Sequence, residues 1–191
     1  MISRDSSLDE IKELVKACLN DLYTTDGFIL TRNKGKGVCE RSIVFRLAYY
    51  LQNRIPNYFV DCDFNSSFQG VSDPQGNILR QERQGKPIPN EDGTVTKRFV
   101  DIIVHERDYN TRNDLICFEI KKWNNTNKND ISKDRNNLRV LTSQYRYIYG
   151  FHISIHKRKA KTKWTIFQNG NPIEQEVLVF PNETPKRAQR N

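Results

Sequence analysis

The stretch LICFEIKKW, residues 115–123, reads as a buried strand with a charged end. Leu115, Ile116, Cys117, Phe118 and Ile120 suit a sheet interior; Glu119 and Lys121 do not. Side chains alternate faces along a strand, so Glu119 and Lys121 point the same way, one pleat repeat apart. A carboxylate and an ammonium at the end of an apolar strand must be paired or used, because burying either alone is costly. The preceding run, RFVDIIVH (98–105), is apolar apart from Asp101, which shares its face with Phe99 and Ile103. The turn-rich ERDYNTRND joins the two runs, which predicts an antiparallel hairpin that carries Asp101 to the Glu119/Lys121 end.

Working outward, Ser7 with Glu10 three residues on forms a capping-box pattern. Ile11, Leu14, Val15, Cys18, Leu19 and Leu22 then follow at helical spacing, predicting a helix over 8–24. A Gly-rich basic turn, NKGKG, leads to a second helix over about 38–54, stopped before Pro56. YFVDCDF (58–64) alternates as a strand. Residues 65–97 are polar and hold too few apolar residues for a second core, so they read as an excursion from the domain. Beyond the hairpin, Ile131, Leu138 and Leu141 predict a helix over 127–143. YIYGFHISIH (147–156) and KTKWTIFQN (161–169) read as strands around the basic turn HKRKAKTK. The expected order is α, α, β, β, β, α, β, β: one α/β domain over 1–180, with a central mixed sheet flanked by helices. The basic tail, 181–191, carries no core signal.

The 191 residues suit one domain. Lysine and arginine number 31 against 23 acidic residues, a net charge of +8 that favours a polyanionic partner, nucleic acid being the commonest. The four cysteines (18, 39, 62 and 117) form no CxxC pair, so buried free thiols in a reducing cytosol are expected. The three histidines add no ligand pattern to them, which argues against structural zinc. No segment has a signal-peptide pattern or membrane-spanning length, so the expectation is a cytoplasmic protein with no membrane partner.

Two carboxylates meeting in a low-dielectric site repel each other unless a cation lies between them. Asp101 and Glu119 are such a pair, and a hard divalent ion, Mg²⁺ by preference, supplies that charge where substrate phosphate completes the shell. Lys121 then stands beside the metal, able to orient a water or steady a phosphate oxygen. Glu40 points to the same place independently. Ile43, Val44, Leu47 and Leu51 mark the buried stripe of the second helix, and Glu40 lies on that face one turn nearer the N-terminus. Its alternative is a glutamate stabilised by the helix dipole.

These segments, VCERSIVFRLAYYLQ, YFVDCDFN and RFVDIIVHERDYNTRNDLICFEIKKW, continuing into NKNDISKDRNNLRVLTSQYRYIYGFHISI, resemble the PD-(D/E)xK nuclease superfamily over about residues 36–156. Within it the resemblance is to a small bacterial subgroup. It implies a restriction-endonuclease-like core and a Mg²⁺- or Mn²⁺-dependent phosphodiesterase, with Glu40, Asp101, Glu119 and Lys121 in the catalytic positions. The proline that precedes the aspartate in the motif is Val100 here, a change read as tolerable. The expected metal donors are Asp101, Glu119, the Ile120 carbonyl and Glu40, directly or through a bound water.

The implied function is DNA endonuclease, in defence or repair. Its alternative is a nucleic-acid-binding or scaffold subunit that keeps the fold and needs a partner for cleavage, or lacks cleavage. Two carboxylates acting as acid and base on a sugar or acyl substrate fit less well, because Lys121 and the basic surface then have no task. A homodimer and partner proteins of a defence system are both compatible with so small a chain. The other polar groups have blander expectations. Asp61 and Asp63 are metal ligands, carboxylates supporting the ligands, or a solvated edge. Asp134 and Gln144 lie on or near the following helix, on a solvated face by preference and against substrate as the alternative, and Lys122 makes a solvent or phosphate contact. His105, His152 and His156 are packing or hydrogen-bonding residues. HKRKAKTK with Lys34, Lys36, Arg41, Lys128 and Lys133 is either a phosphate-tracking groove or solvated charge.

Overall fold

A computed structural model describes residues 2–31, 39–64, 67–72, 75, 78–84, 87–89, 93–97, 99–106, 114–145, 147–178 and 180. Helix α1 (Leu8–Thr25) starts at the expected capping box: the Ser7 hydroxyl accepts from the Glu10 N–H, and the Glu10 carboxylate accepts from the Ser7 N–H at 2.7 Å. Helix α2 (Gly27–Thr31), a single turn absent from the sequence reading, precedes α3 (Glu40–Arg54). The expected NKGKG turn lies outside the described residues.

Strand β1 (Phe59–Phe64) is followed by two hairpins, β2 (Ser67–Ser72) with β3 (Ile78–Gln84) and β4 (Pro87–Pro89) with β5 (Val95–Lys97). The 65–97 excursion therefore has strands of its own, each pair standing apart from the main sheet. The chain continues through β6 (Val100–His105), β7 (Asp114–Lys122), α4 (Lys128–Gln144), β8 (Tyr149–Ile155), β9 (Lys163–Gln168) and β10 (Asn171–Val177).

The main sheet has the order β1-β6-β7-β8-β9-β10. β6 and β7 are the predicted antiparallel hairpin partners, with Ile102 opposite Phe118 and Ile103 opposite Cys117. Only β7 and β8 run parallel in this sheet, because α4 carries the chain back across it between them. The fold is thus the expected α/β class, a mixed sheet flanked by helices. One sheet face packs Ile102, Phe118, Ile120, Phe151 and Ile153 against α1 and α3. The other packs Ile103, Cys117 and Phe167 against Leu138 and Leu141 of α4. Burial on both sides explains the unbroken apolar run at the start of β7.

β10 was not anticipated. It is a polar edge strand whose Glu174 carboxylate lies 2.8 Å from Lys12 of α1. Its signal was the turn rather than the strand: Asn169 and Gly170 both have positive φ (50° and 78°), the conformation that favours Asn-Gly in tight hairpins. The cysteine expectation needs correction. All four thiols are free, but only Cys18 and Cys117 are buried; Cys62 is half-buried and Cys39 is exposed at the N-cap of α3. Among the described residues no helix is long and apolar enough to cross a membrane. The 181–191 tail lies outside the described residues.

Candidate active site at the ends of β6 and β7

The β6–β7 register, continued one residue past Ile102 and Phe118, sets Asp101 level with Glu119. There the Asp101 side chain replaces a ladder bond: its Oδ2 accepts from the Ile120 N–H at 2.7 Å. A residue's N–H and C=O point to the same side of a strand, so the Ile120 carbonyl faces the Asp101 edge as well.

Glu119 and Lys121 share the face of Cys117 and sit beside His152 and Ser154 of the parallel neighbour β8. Glu119 is 3% exposed, and its Oε1 accepts from Asn137 Nδ2 of α4 at 2.7 Å. The Lys121 ammonium lies 3.0 Å from Asp134 Oδ2 and 3.4 Å from Glu40 Oε1. The contact with Asp134 is an ion pair without hydrogen-bond alignment, since Oδ2 has no hydrogen-bond partner. Glu40 opens α3, where the N-cap Cys39 offers no side-chain acceptor. Its Oε2 accepts from the Lys122 N–H at 2.9 Å, fastening the helix start to the end of β7.

The electrostatics follow from gathering four carboxylates, Glu119 and Asp134 buried and Asp101 and Glu40 half-buried, around one ammonium. Burial, then the neighbouring Asp101 and Asp134, push the Glu119 carboxyl well above its ordinary value, against the Asn137 hydrogen bond and Lys121. Burial also raises Asp101, opposed by the Ile120 N–H and by Lys121. Burial raises Asp134 to about 6 despite Lys121, with Asp101 and Glu40 adding to the rise. Burial alone would pull the Lys121 ammonium down, but Asp134, Glu40 and Asp101 outweigh it, and its pKa ends above the ordinary lysine value. Lys121 is therefore a fixed cation at neutral pH.

All four predicted catalytic side chains, Glu40, Asp101, Glu119 and Lys121, come together here, with the Ile120 backbone among them. Asp134 is a correction: expected on a solvated helix face, it is buried against Lys121. Asn137 was missed. Both lie on the seam already marked by Leu138 and Leu141, at spacings of three, four and seven residues, so the periodicity that defined the helix also placed them inward. His152, expected to pack or hydrogen-bond, is buried on the same face with no partner at Nε2. His105 hydrogen-bonds Asp61 at 2.7 Å as expected of a structural histidine, and Asp63 pairs with Arg41 at 3.2 Å. Neither aspartate belongs to the cluster, and Gln144 is exposed. Lys34 and Lys36 fall outside the described residues.

Among the described residues no group of three or more His, Cys, Asp or Glu side chains forms a ready-made metal cage. The donor chemistry nonetheless suits a hard divalent cation. Asp101, Glu119 and the Ile120 carbonyl offer only oxygen, and the carboxylates gathered here outnumber the Lys121 ammonium, so burial and mutual repulsion raise the pKa values of both Asp101 and Glu119. Compared with family models, with curated proteins and with solved structures, the chain matches none.

Proposed function

We propose that the protein is a metal-dependent endonuclease that hydrolyses phosphodiester bonds in DNA. One observation carries the reading: a half-buried carboxylate from β6 and a buried one from β7 converge beside a lysine that is held charged by residues from two helices. A structural ion-pair network would balance its charges. This one crowds more carboxylates than ammonium groups together and disfavours their charge, which suits a site completed by a cation.

Asp101, Glu119 and the Ile120 carbonyl are the groups that would hold Mg²⁺ or Mn²⁺. The ion, when bound, would neutralise phosphate charge and lower the pKa of a water. The protein's own part is positional. The Ile120 N–H fixes the Asp101 carboxylate, and Asn137 fixes one oxygen of Glu119 while leaving the other for the ion. Glu40 and Asp134 hold the Lys121 ammonium between them. Lys121, held between Glu40 and Asp134, is placed to donate to a phosphate oxygen, and the proton of the attacking water would leave to solvent. The basic chain supplies attraction for the phosphate backbone. A setting in defence or repair is what the PD-(D/E)xK resemblance implies.

The test is digestion of plasmid and of labelled DNA and RNA oligonucleotides in Mg²⁺, Mn²⁺ or EDTA, beside Glu119→Ala and Lys121→Ala. Metal-dependent cutting of DNA, lost in both variants, is the expected result. Tight binding without cutting would reassign the chain as a nucleic-acid-binding subunit, and cutting that survives both substitutions would remove the site.

A further inference from the structure

Beyond Lys121 the same sheet face opens into a cavity of about 260 Å³, bounded by the β7–α4 connection and the first half of α4. Its lining includes Lys121, Trp123, Arg135, His152, Ser154 and Lys163. In the sheet, Lys121 lies beside Ser154, and Ser154 beside Lys163, so the floor is one lateral row across three strands.

Two features suit this cavity to an anion. His152 is 5% exposed and its Nε2 has no hydrogen-bond partner; the Nε of half-buried Arg135 is likewise buried and unpartnered. A buried polar atom left in that state costs about 1–3 kcal/mol, and both residues line the same space. In addition, neither Arg135 nor Lys163 has a carboxylate at ion-pair distance among the described residues, so their charge is available to a ligand. The carboxylate of Asp134, 3.9 Å from His152 Nε2, is already engaged with Lys121. Burial, then the charges of Arg135, Lys121 and Lys163, lower the His152 pKa to about 4. The imidazole is neutral at pH 7 and can offer an N–H without adding charge. Trp123, half-buried, supplies a flat apolar surface of the kind that stacks on a base or sugar.

We propose that this cavity is a phosphate-binding subsite that holds the substrate phosphate adjacent to the one being cut, with Arg135, His152 and Lys163 as its donors. The volume accommodates a phosphate with its attached sugar and little more. Lys121 is common to both sites, which puts the two phosphates next to each other along one strand. The inference rests on the nuclease reading for its place in the reaction, but the binding chemistry stands apart from cutting. The bound group is either a terminal monoester or a bridging diester, which share the oxyanion that the donors recognise.

The experiment is calorimetric titration of the full chain in EDTA with thymidine, thymidine 5′-monophosphate and the dinucleotide TpT, repeated with Arg135→Gln and Lys163→Gln singly and together. At least one phosphate ligand should bind about tenfold or more tightly than thymidine, and each substitution should remove roughly tenfold, the size of one charge-assisted hydrogen bond. The His152 imidazole nitrogen resonances should shift when that ligand is added. Monophosphate ahead of TpT assigns a strand end; TpT equal to it or ahead assigns an internal phosphate. Equal affinity for thymidine and both phosphates, no binding of any of them, or phosphate affinity indifferent to the double substitution overturns the subsite. Binding is read without metal, so a protein that cuts DNA yet shows no phosphate preference loses only this inference. One that prefers phosphates and never cuts loses only the nuclease reading.

Discussion

Glu119 is held in a place that disfavours its charge, and that gives the site a measurable signature. Burial first, then Asp101 and Asp134, raise its folded-state pKa above the ordinary value of 4.5. The folded chain therefore binds this proton more readily than the unfolded chain. The stabilisation is complete below about pH 4.5 and is lost as pH rises toward the raised folded value. Glu119→Gln keeps an oxygen for Asn137 and removes the charge. In EDTA at pH 7 it should be more stable than the natural protein by roughly 1–3 kcal/mol in urea unfolding, the two converging in acid. Mg²⁺ should raise the melting temperature of the natural protein and leave that of Glu119→Gln unmoved. A less stable Gln variant in EDTA would mean that the protein already compensates this charge unaided. Lys121 is the opposite case, because its removal leaves the surrounding carboxylates without their cation. Lys121→Met should lose about 3–5 kcal/mol at neutral pH, as expected when one member of a buried charge cluster is deleted, and cutting should vanish with it. His152 contributes with the other sign: its pKa is lowered to about 4, so its stabilisation is lost as pH falls from 6.5 through that value.

At the scale of elements, the distance between α4 and the sheet sets the geometry of Asp134 and Asn137. That distance is fixed at Gly150 of β8. A Cβ added there would meet Leu138 Cβ and Thr142 Cγ2 at 3.2 Å, so the helix would have to move by a few tenths of an ångström. Gly150→Ala should therefore destabilise by about 1–3 kcal/mol and lower the cutting rate beyond what the loss of folded protein explains; urea titration beside single-turnover cleavage separates the two effects. Unaltered cleavage in the folded variant would detach α4 from the site. The same element shows what the sequence made readable. Apolar periodicity located α4, and Leu138 with Leu141 fixed its inward face, but Asp134 and Asn137 look like ordinary surface residues until that face is followed into polar positions. The β6–β7 hairpin was legible because buried strands are unbroken apolar runs in which a charge stands out. The hairpins β2–β3 and β4–β5 and the edge strand β10 were not, because their sequences are largely polar and carry no period-two apolar pattern.

The whole molecule carries a net charge of +8 while its candidate site holds an excess of carboxylates, so attraction for the substrate must come from elsewhere on the surface. Residues Lys157, Arg158 and Lys161, exposed after β8, and the cations of the cavity beside Lys121 are placed to contribute to it. Each phosphate neutralised releases condensed counterions, and the logarithm of the duplex affinity falls with that of salt by about 0.9 per contact. If about four phosphates are contacted, affinity for a duplex oligonucleotide should drop about a hundredfold between roughly 50 and 200 mM salt. Fluorescence anisotropy with Ca²⁺ in place of Mg²⁺, a choice meant to limit cutting, measures the slope. Replacing Lys157, Arg158 and Lys161 by Gln should flatten it by up to three contacts' worth without altering the metal-dependent rise in melting temperature, because those residues lie outside the carboxylate cluster. A slope near zero would mean that the positive charge serves solubility alone, and with it the argument for a nucleic-acid substrate would lose its long-range half.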